Sequence, residues 1–155
     1  MLKKRIMLAA VAGSASLVPV AGLVALTSGP AAAAKAPKGI KCSTLSGKVN
    51  SAGTAKINLS SCTGNTGGSG KSKGSATSSS GTVKWANGKS TTSTENYTAG
   101  TGCPSSDIAE QISGNVTADT TKSTAVGAAL SATVCYNSST GKLSLAPGTK
   151  FVIAG

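Results

Sequence analysis

The chain has 155 residues, with 15 lysines and arginines against 4 acidic residues, no histidine and a formal charge of +11. That length allows one modest domain. The missing histidine excludes Ser-His-Asp and Cys-His catalysis, and four cysteines without a Cys-x-x-Cys pair or a histidine partner do not make a zinc site.

At the N-terminus Lys3, Lys4 and Arg5 precede an uncharged run over residues 6–26, and alanines occupy residues 31–34. This is the order of a secretory signal peptide, with cleavage expected after Ala34. A retained anchor is the alternative, because the run approaches spanning length; Pro19 and the many small residues weigh against it. No lipobox precedes Cys42. The expected organisation is a signal peptide over 1–34, a short linker over 35–40 and one β domain over 41–155, extracellular or associated with the cell envelope.

The exported part holds 12 lysines, no arginine and all four acids, a formal charge of +8. Serine, threonine and glycine make up 56 of its 121 residues, and its aromatics are Trp85, Tyr97, Tyr136 and Phe151. So thin a core calls for covalent support. Cys42, Cys62, Cys103 and Cys135 can supply it in an oxidising compartment. Four cysteines allow three pairings; Cys42–Cys62 with Cys103–Cys135 is favoured because each pair flanks one hairpin unit. Loops of about 20 and about 33 residues would each contribute roughly 3–4 kcal/mol.

Along the chain, period-two alternation recurs between turn signals. Leu45 and Val49 share one face with Lys48 on the other. After the turn "NSAG", Ala55, Ile57 and Leu59 oppose Lys56 and Asn58. Residues 64–81, "GNTGGSGKSKGSATSSSG", read as a flexible loop rather than a Gly-rich strand. A second hairpin follows, with Val83 and Trp85 inward, Lys84 outward and the turn signal Asn87-Gly88. Residues 104–113 offer the one helical turn, with Ser105 or Ser106 as N-cap. Alternation resumes at Ile112, Val116 and Ala118, and again at Val126, Leu130, Val134 and Tyr136. "SSTG" and "PG" then set off "KLSLA" and "TKFVIAG". Short strands at this spacing predict an all-β fold, a small antiparallel sandwich, Ig-like or barrel-like, stabilised by disulfides.

Motifs of catalysis fail one by one. "TGNTGGSGKS" ends like a phosphate-binding loop, yet Asn65 stands where the first glycine belongs and no helix-forming sequence follows. Ser139-Thr140-Gly141-Lys142 matches S-x-x-K but spans a hairpin turn, not a helix. Carboxylate pairing for glycoside hydrolysis can draw only on Glu95, Asp107, Glu110 and Asp119, with Asp107 and Glu110 on one face of the expected helical turn. No catalytic residue, cofactor or metal is assigned.

The lysines read as outward strand positions that keep sheet edges soluble. With no arginine and few aromatics, specific nucleic-acid binding is not expected; acidic cell-envelope polymers, held in a salt-sensitive way, or a protein partner fit better. The segments "SCTGNTGGSG", "TVKWANGKSTT", "SGNVTADTT" and "LSLAPGTKF", set around four cysteines, resemble a group of small secreted proteins of actinobacteria over most of residues 40–153. That resemblance implies an exported all-β domain and brings no functional residue with it. The expected function is therefore a secreted, non-enzymatic binding module. A protease inhibitor, presenting "TAGTGCPSSD" over residues 98–107, and a small hydrolase built on Glu110 with Asp107 or Asp119 are the alternatives.

Overall fold

The computed structural model describes residues 35–155; the expected signal peptide and its cleavage site lie outside the described residues. Ten strands follow in order: β1 Ile40–Val49, β2 Thr54–Cys62, β3 Ser69–Ser75, β4 Ser80–Trp85, β5 Ser90–Thr94, β6 Asn96–Ala99, β7 Ile108–Asp119, β8 Ala129–Asn137, β9 Lys142–Leu145 and β10 Phe151–Ile153. Every pairing is antiparallel, and the last strands return to the first. The sheet closes into a barrel, so the sandwich form of the expectation gives way to the barrel form. Thin walls rich in serine, threonine and glycine suit this outcome. A closed sheet buries one face against itself and needs no second layer.

The barrel has eight staves in up-and-down order, because two of them are each made of two strands. β5 and β6 both run along β7, interrupted at Glu95, whose amide turns aside to donate to Ser79 O at 2.8 Å. β9 and β10 both lie between β8 and β1, one towards each end. Residues 146–150 form the excursion between them, held by hydrogen bonds from Ala146 N and Thr149 Oγ1 to Thr133 O.

Core side chains gather towards one end of this cylinder. Ile40, Leu45, Leu59, Val83, Trp85, Val116, Leu130, Phe151 and Ile153 are all buried there or at the waist. Gly70 on β3 makes the packing possible: a Cβ at this position would strike the six-membered ring of Trp85 and a methyl of Val83. The Trp85 indole donates to Thr91 Oγ1 at 2.9 Å, and Thr91 Oγ1 donates to Asp119 Oδ1 at 2.6 Å. Thr121 Oγ1 donates to the same carboxylate, while Asn65, Ser123 and Asn87 continue the network across the end loops. Buried polar groups so fully paired fix one arrangement of these loops. This end is shut.

Two disulfides, Cys42–Cys62 and Cys103–Cys135, brace the wall, in the pairing the hairpin argument favours. The first joins directly opposed residues of β1 and β2 at the shut end. The second ties the 100–107 loop over the outside of β8, since Val134 and Cys135 are adjacent on the strand and face opposite sides.

Four local expectations change. Residues 69–75, expected within a loop, form stave β3, which the glycines permit by letting Trp85 lie across it. The expected helical turn at 104–113 is a tight turn, Asp107 N to Pro104 O at 2.9 Å, leading straight into β7. Ile108, Ile112 and Val116 are strand residues there, so wall pairing overrides local helix preference. Ala118 is exposed although Val116 is buried, because a bulge between Thr92 and Ser93 shifts the alternation. Val126, expected inward with Leu130, stands 71% exposed in the loop before β8.

Candidate functional site

The end of the barrel opposite the Trp85 core is built differently. β3 and β4 pair only at Gly70↔Trp85 and Lys71↔Lys84, so from Ser72 and Val83 onward the two staves diverge. Further along, Glu95 leaves the pairing with β7, its amide bonding Ser79 O just ahead of β4. The result is a mouth leading into a cavity of about 470 Å³ inside the barrel. Its walls are Leu45, Val49, Ile57, Ile112, Leu143 and Phe151; its rim carries Ser72, Lys73, Ser80, Thr82, Glu95, Tyr97 and Glu110, with Tyr136 beside Leu143 on the neighbouring stave. A mostly apolar hollow with a few convergent polar groups is the form small-molecule sites take, and eight staves leave room for one small ligand.

The polar cluster has a definite arrangement. Tyr97 on β6 donates its hydroxyl to Glu95 Oε2 at 2.6 Å. Glu95 and Tyr97 are two residues apart and share a face, while Glu110 and Ile112 do the same on β7, in register with Ala99 and Tyr97. Gly81 on β4 leaves room here for the Glu95 carboxylate, which a Cβ would push aside. Burial pushes the Tyr97 phenol well above its ordinary value, and the bond to Glu95 and the charges of Glu95 and Glu110 add to that effect. Around Glu95 the rim therefore presents acceptors, two carboxylates with one phenol proton already committed, while Lys73 elsewhere on the rim adds a donor. A complementary ligand would bring N–H or O–H donors to the rim and an apolar body to the interior.

The other acids have different tasks. Asp119 is bonded to Thr91 and Thr121 in the shut end, and Asp107 accepts from Asn137 Nδ2 at 2.7 Å and from Ser106 Oγ. The pairing of Glu110 with Asp107 on a helical turn does not form, because no helix forms there; Glu110 shares its cavity with Glu95 instead. Ser139 sits on the β8–β9 turn and Lys142 opens β9; in that turn Asn137 Oδ1 accepts from Thr140 N and Oγ1. The 63–72 stretch runs from a glycine-rich turn into β3, with no helix after it. Among the described residues, no group of three or more metal-binding side chains occurs, and no helix is long and apolar enough to cross a membrane.

The outer wall holds a second feature. Lys142, Lys48, Lys56 and Lys73 stand directly opposite one another across β9, β1, β2 and β3. One step along, Lys71 faces Lys84 on β4. All six are exposed. Edge protection does not account for them, because β1 and β2 have no free edge in a closed barrel; only the diverging half of β3 has one. Directly opposed like charges cost a few tenths of a kcal/mol per pair, and the two rows together keep four such pairs. The acids are segregated from it, all four lying within residues 95–119.

Sequence reasoning missed both features. The Glu95/Tyr97 spacing on one strand face was a usable signal for the first, and the alternation of lysines with inward residues for the second. What it lacked was register. Comparison with family models, with curated proteins and with solved structures returns no match.

Proposed function

We propose that the chain is an exported, non-enzymatic binding protein whose barrel receives one small amphiphile at its open end. The cavity carries this reading: its interior is mostly apolar and its rim gathers acceptors at Glu95, Tyr97 and Glu110. The ligand class is an apolar molecule ending in an amine or a hydroxyl. Export is supported by the signal-like N-terminal sequence and by two disulfides bracing a small core.

The test uses N-phenylnaphthylamine, an apolar fluorophore with one N–H, displaced by long-chain amines and alcohols. Bright, displaceable fluorescence is expected with the natural domain, and loss of at least about tenfold in affinity when Leu143→Trp fills the hollow, an estimate from the value of a buried apolar group. Absence of binding by every probe, or full binding by a folded Leu143→Trp variant, refutes the proposal.

A second reading rests on the loop over residues 100–107. It is exposed at Thr101, Gly102 and residues 104–106, and it is held at its middle by Cys103–Cys135. Such a braced loop suits a protease inhibitor, since rigidity lowers the entropic cost of binding. Slowing of any secreted protease by the intact domain, lost on replacing Pro104 and Ser105, would favour it. The hydrolase reading now depends on Glu95 and Glu110. Activity that survives replacing both by glutamine would eliminate it.

A further inference from the structure

We infer that the lysine girdle on the outer wall is a track for a flexible, base-free linear polyphosphodiester, such as a polyol-phosphate chain. Lys142, Lys48, Lys56 and Lys73 follow one another at one strand spacing, about 4.8 Å at the backbone, and Lys71 with Lys84 forms a parallel row two residues away. Together they cover five of the eight staves. Between them the wall is slightly hollow, a depression of about 820 Å³ bordered by Asn58, Lys56, Lys71, Lys73, Thr82 and Lys84.

Shape selects the partner. A row at right angles to the strands runs around a barrel rather than along it. A membrane plane touches a convex wall over a narrow strip and cannot follow such a path, whereas a flexible chain can wrap it. The outward positions between the lysines are Ser46, Asn58, Ser69, Ser144 and Thr82. None offers an apolar group for insertion into lipid. None offers an exposed aromatic ring for stacking a base, so nucleic acid is not favoured. Lysines without arginine act as point charges suited to phosphate rather than as forks for carboxylate. No acidic residue occurs on any of these five strands, so the charges are uncompensated.

Two variants of equal charge separate a track from mere net charge. Lys56→Ser/Lys71→Ser/Lys73→Ser removes the centre of the girdle; Lys38→Ser/Lys41→Ser/Lys150→Ser removes exposed lysines away from it. Binding of poly(glycerol phosphate) would be followed against salt, beside oligothymidylate of the same phosphate number and vesicles of phosphatidylserine in phosphatidylcholine. The girdle variant should lose at least about 30-fold in affinity at low salt, and its plot of log affinity against log salt should flatten by about two units, roughly 0.7 for each of three lost phosphate contacts on a single-stranded polyanion. The control variant should lose less than about threefold. Equal losses in the two variants would overturn the inference. So would no binding of poly(glycerol phosphate) at low salt, or tighter binding of the oligonucleotide or the vesicles. Unchanged near-ultraviolet circular dichroism verifies that both variants keep the fold.

Discussion

The two ends of this barrel are made from the same residue types and behave as opposites. At the shut end Gly70 lets Trp85 cross the interior, and Thr91, Asp119 and Thr121 satisfy its one polar atom and the loops around it. At the open end β3 and β4 part company, and the space that a second large ring would fill is left to Val49, Ile57 and Leu143 at the walls and to Glu95 and Tyr97 at the rim. The lesson is that a chain with four aromatics concentrates its packing. One end is packed tight, and the other is left hollow.

Substitutions should divide accordingly. Trp85→Ala at the shut end is expected to cost about 3–5 kcal/mol, measured by chemical unfolding with the disulfides intact; a loss below about 1 kcal/mol would mean that this end is not the keystone. Gly70→Ala should follow at about 1–3 kcal/mol through overpacking against the indole, and a combined Gly70→Ala/Trp85→Leu variant should recover part of it. At the open end Val49→Ala, half-buried beside existing space, should cost no more than about 1 kcal/mol, because little packing surrounds it. A cost equal to that of Trp85→Ala would erase the contrast between the ends.

The smallest effect sharpens the comparison by pH. Tyr97 holds its proton more tightly in the folded state than in the unfolded chain. Its contribution is thus complete below about pH 10, the ordinary phenol value, and drains away as pH rises towards the higher folded value. With Tyr136→Phe leaving one tyrosine, ultraviolet titration should place the midpoint above that of free tyrosine. Tyr97→Phe should remove this alkaline loss of stability while leaving the fold at neutral pH. A Tyr97 midpoint at or below the ordinary value would show that the rim is open to water.

Much of the wall could be read beforehand. Ala55, Ile57, Leu59, Val83 and Trp85 alternate with lysines or other polar residues, and that period fixes which side of a strand is wet. Closure was not readable, because alternation is the same for a sandwich and a barrel; what distinguishes them is the pairing of β1 with β9 and β10, about 100 residues later in the chain. The Gly-rich 69–75 stave looked like a loop because its inward residue, Gly70, contributes space rather than bulk. Glu95 and Glu110 are 15 positions apart and meet only because β6 and β7 pair. The lysines were visible one by one, whereas their alignment is a property of register.

The seam between β1 and the split stave β9–β10 is the one stave pairing that joins distant parts of the chain; all other staves pair with sequence neighbours. Assembly can therefore proceed as successive hairpins of low contact order, with ring closure waiting on residues 142–153. A polypeptide ending before Lys142 would remain a curled ribbon with two bare flanks, and it should self-associate in proportion to concentration until a peptide supplying residues 142–155 is added in trans.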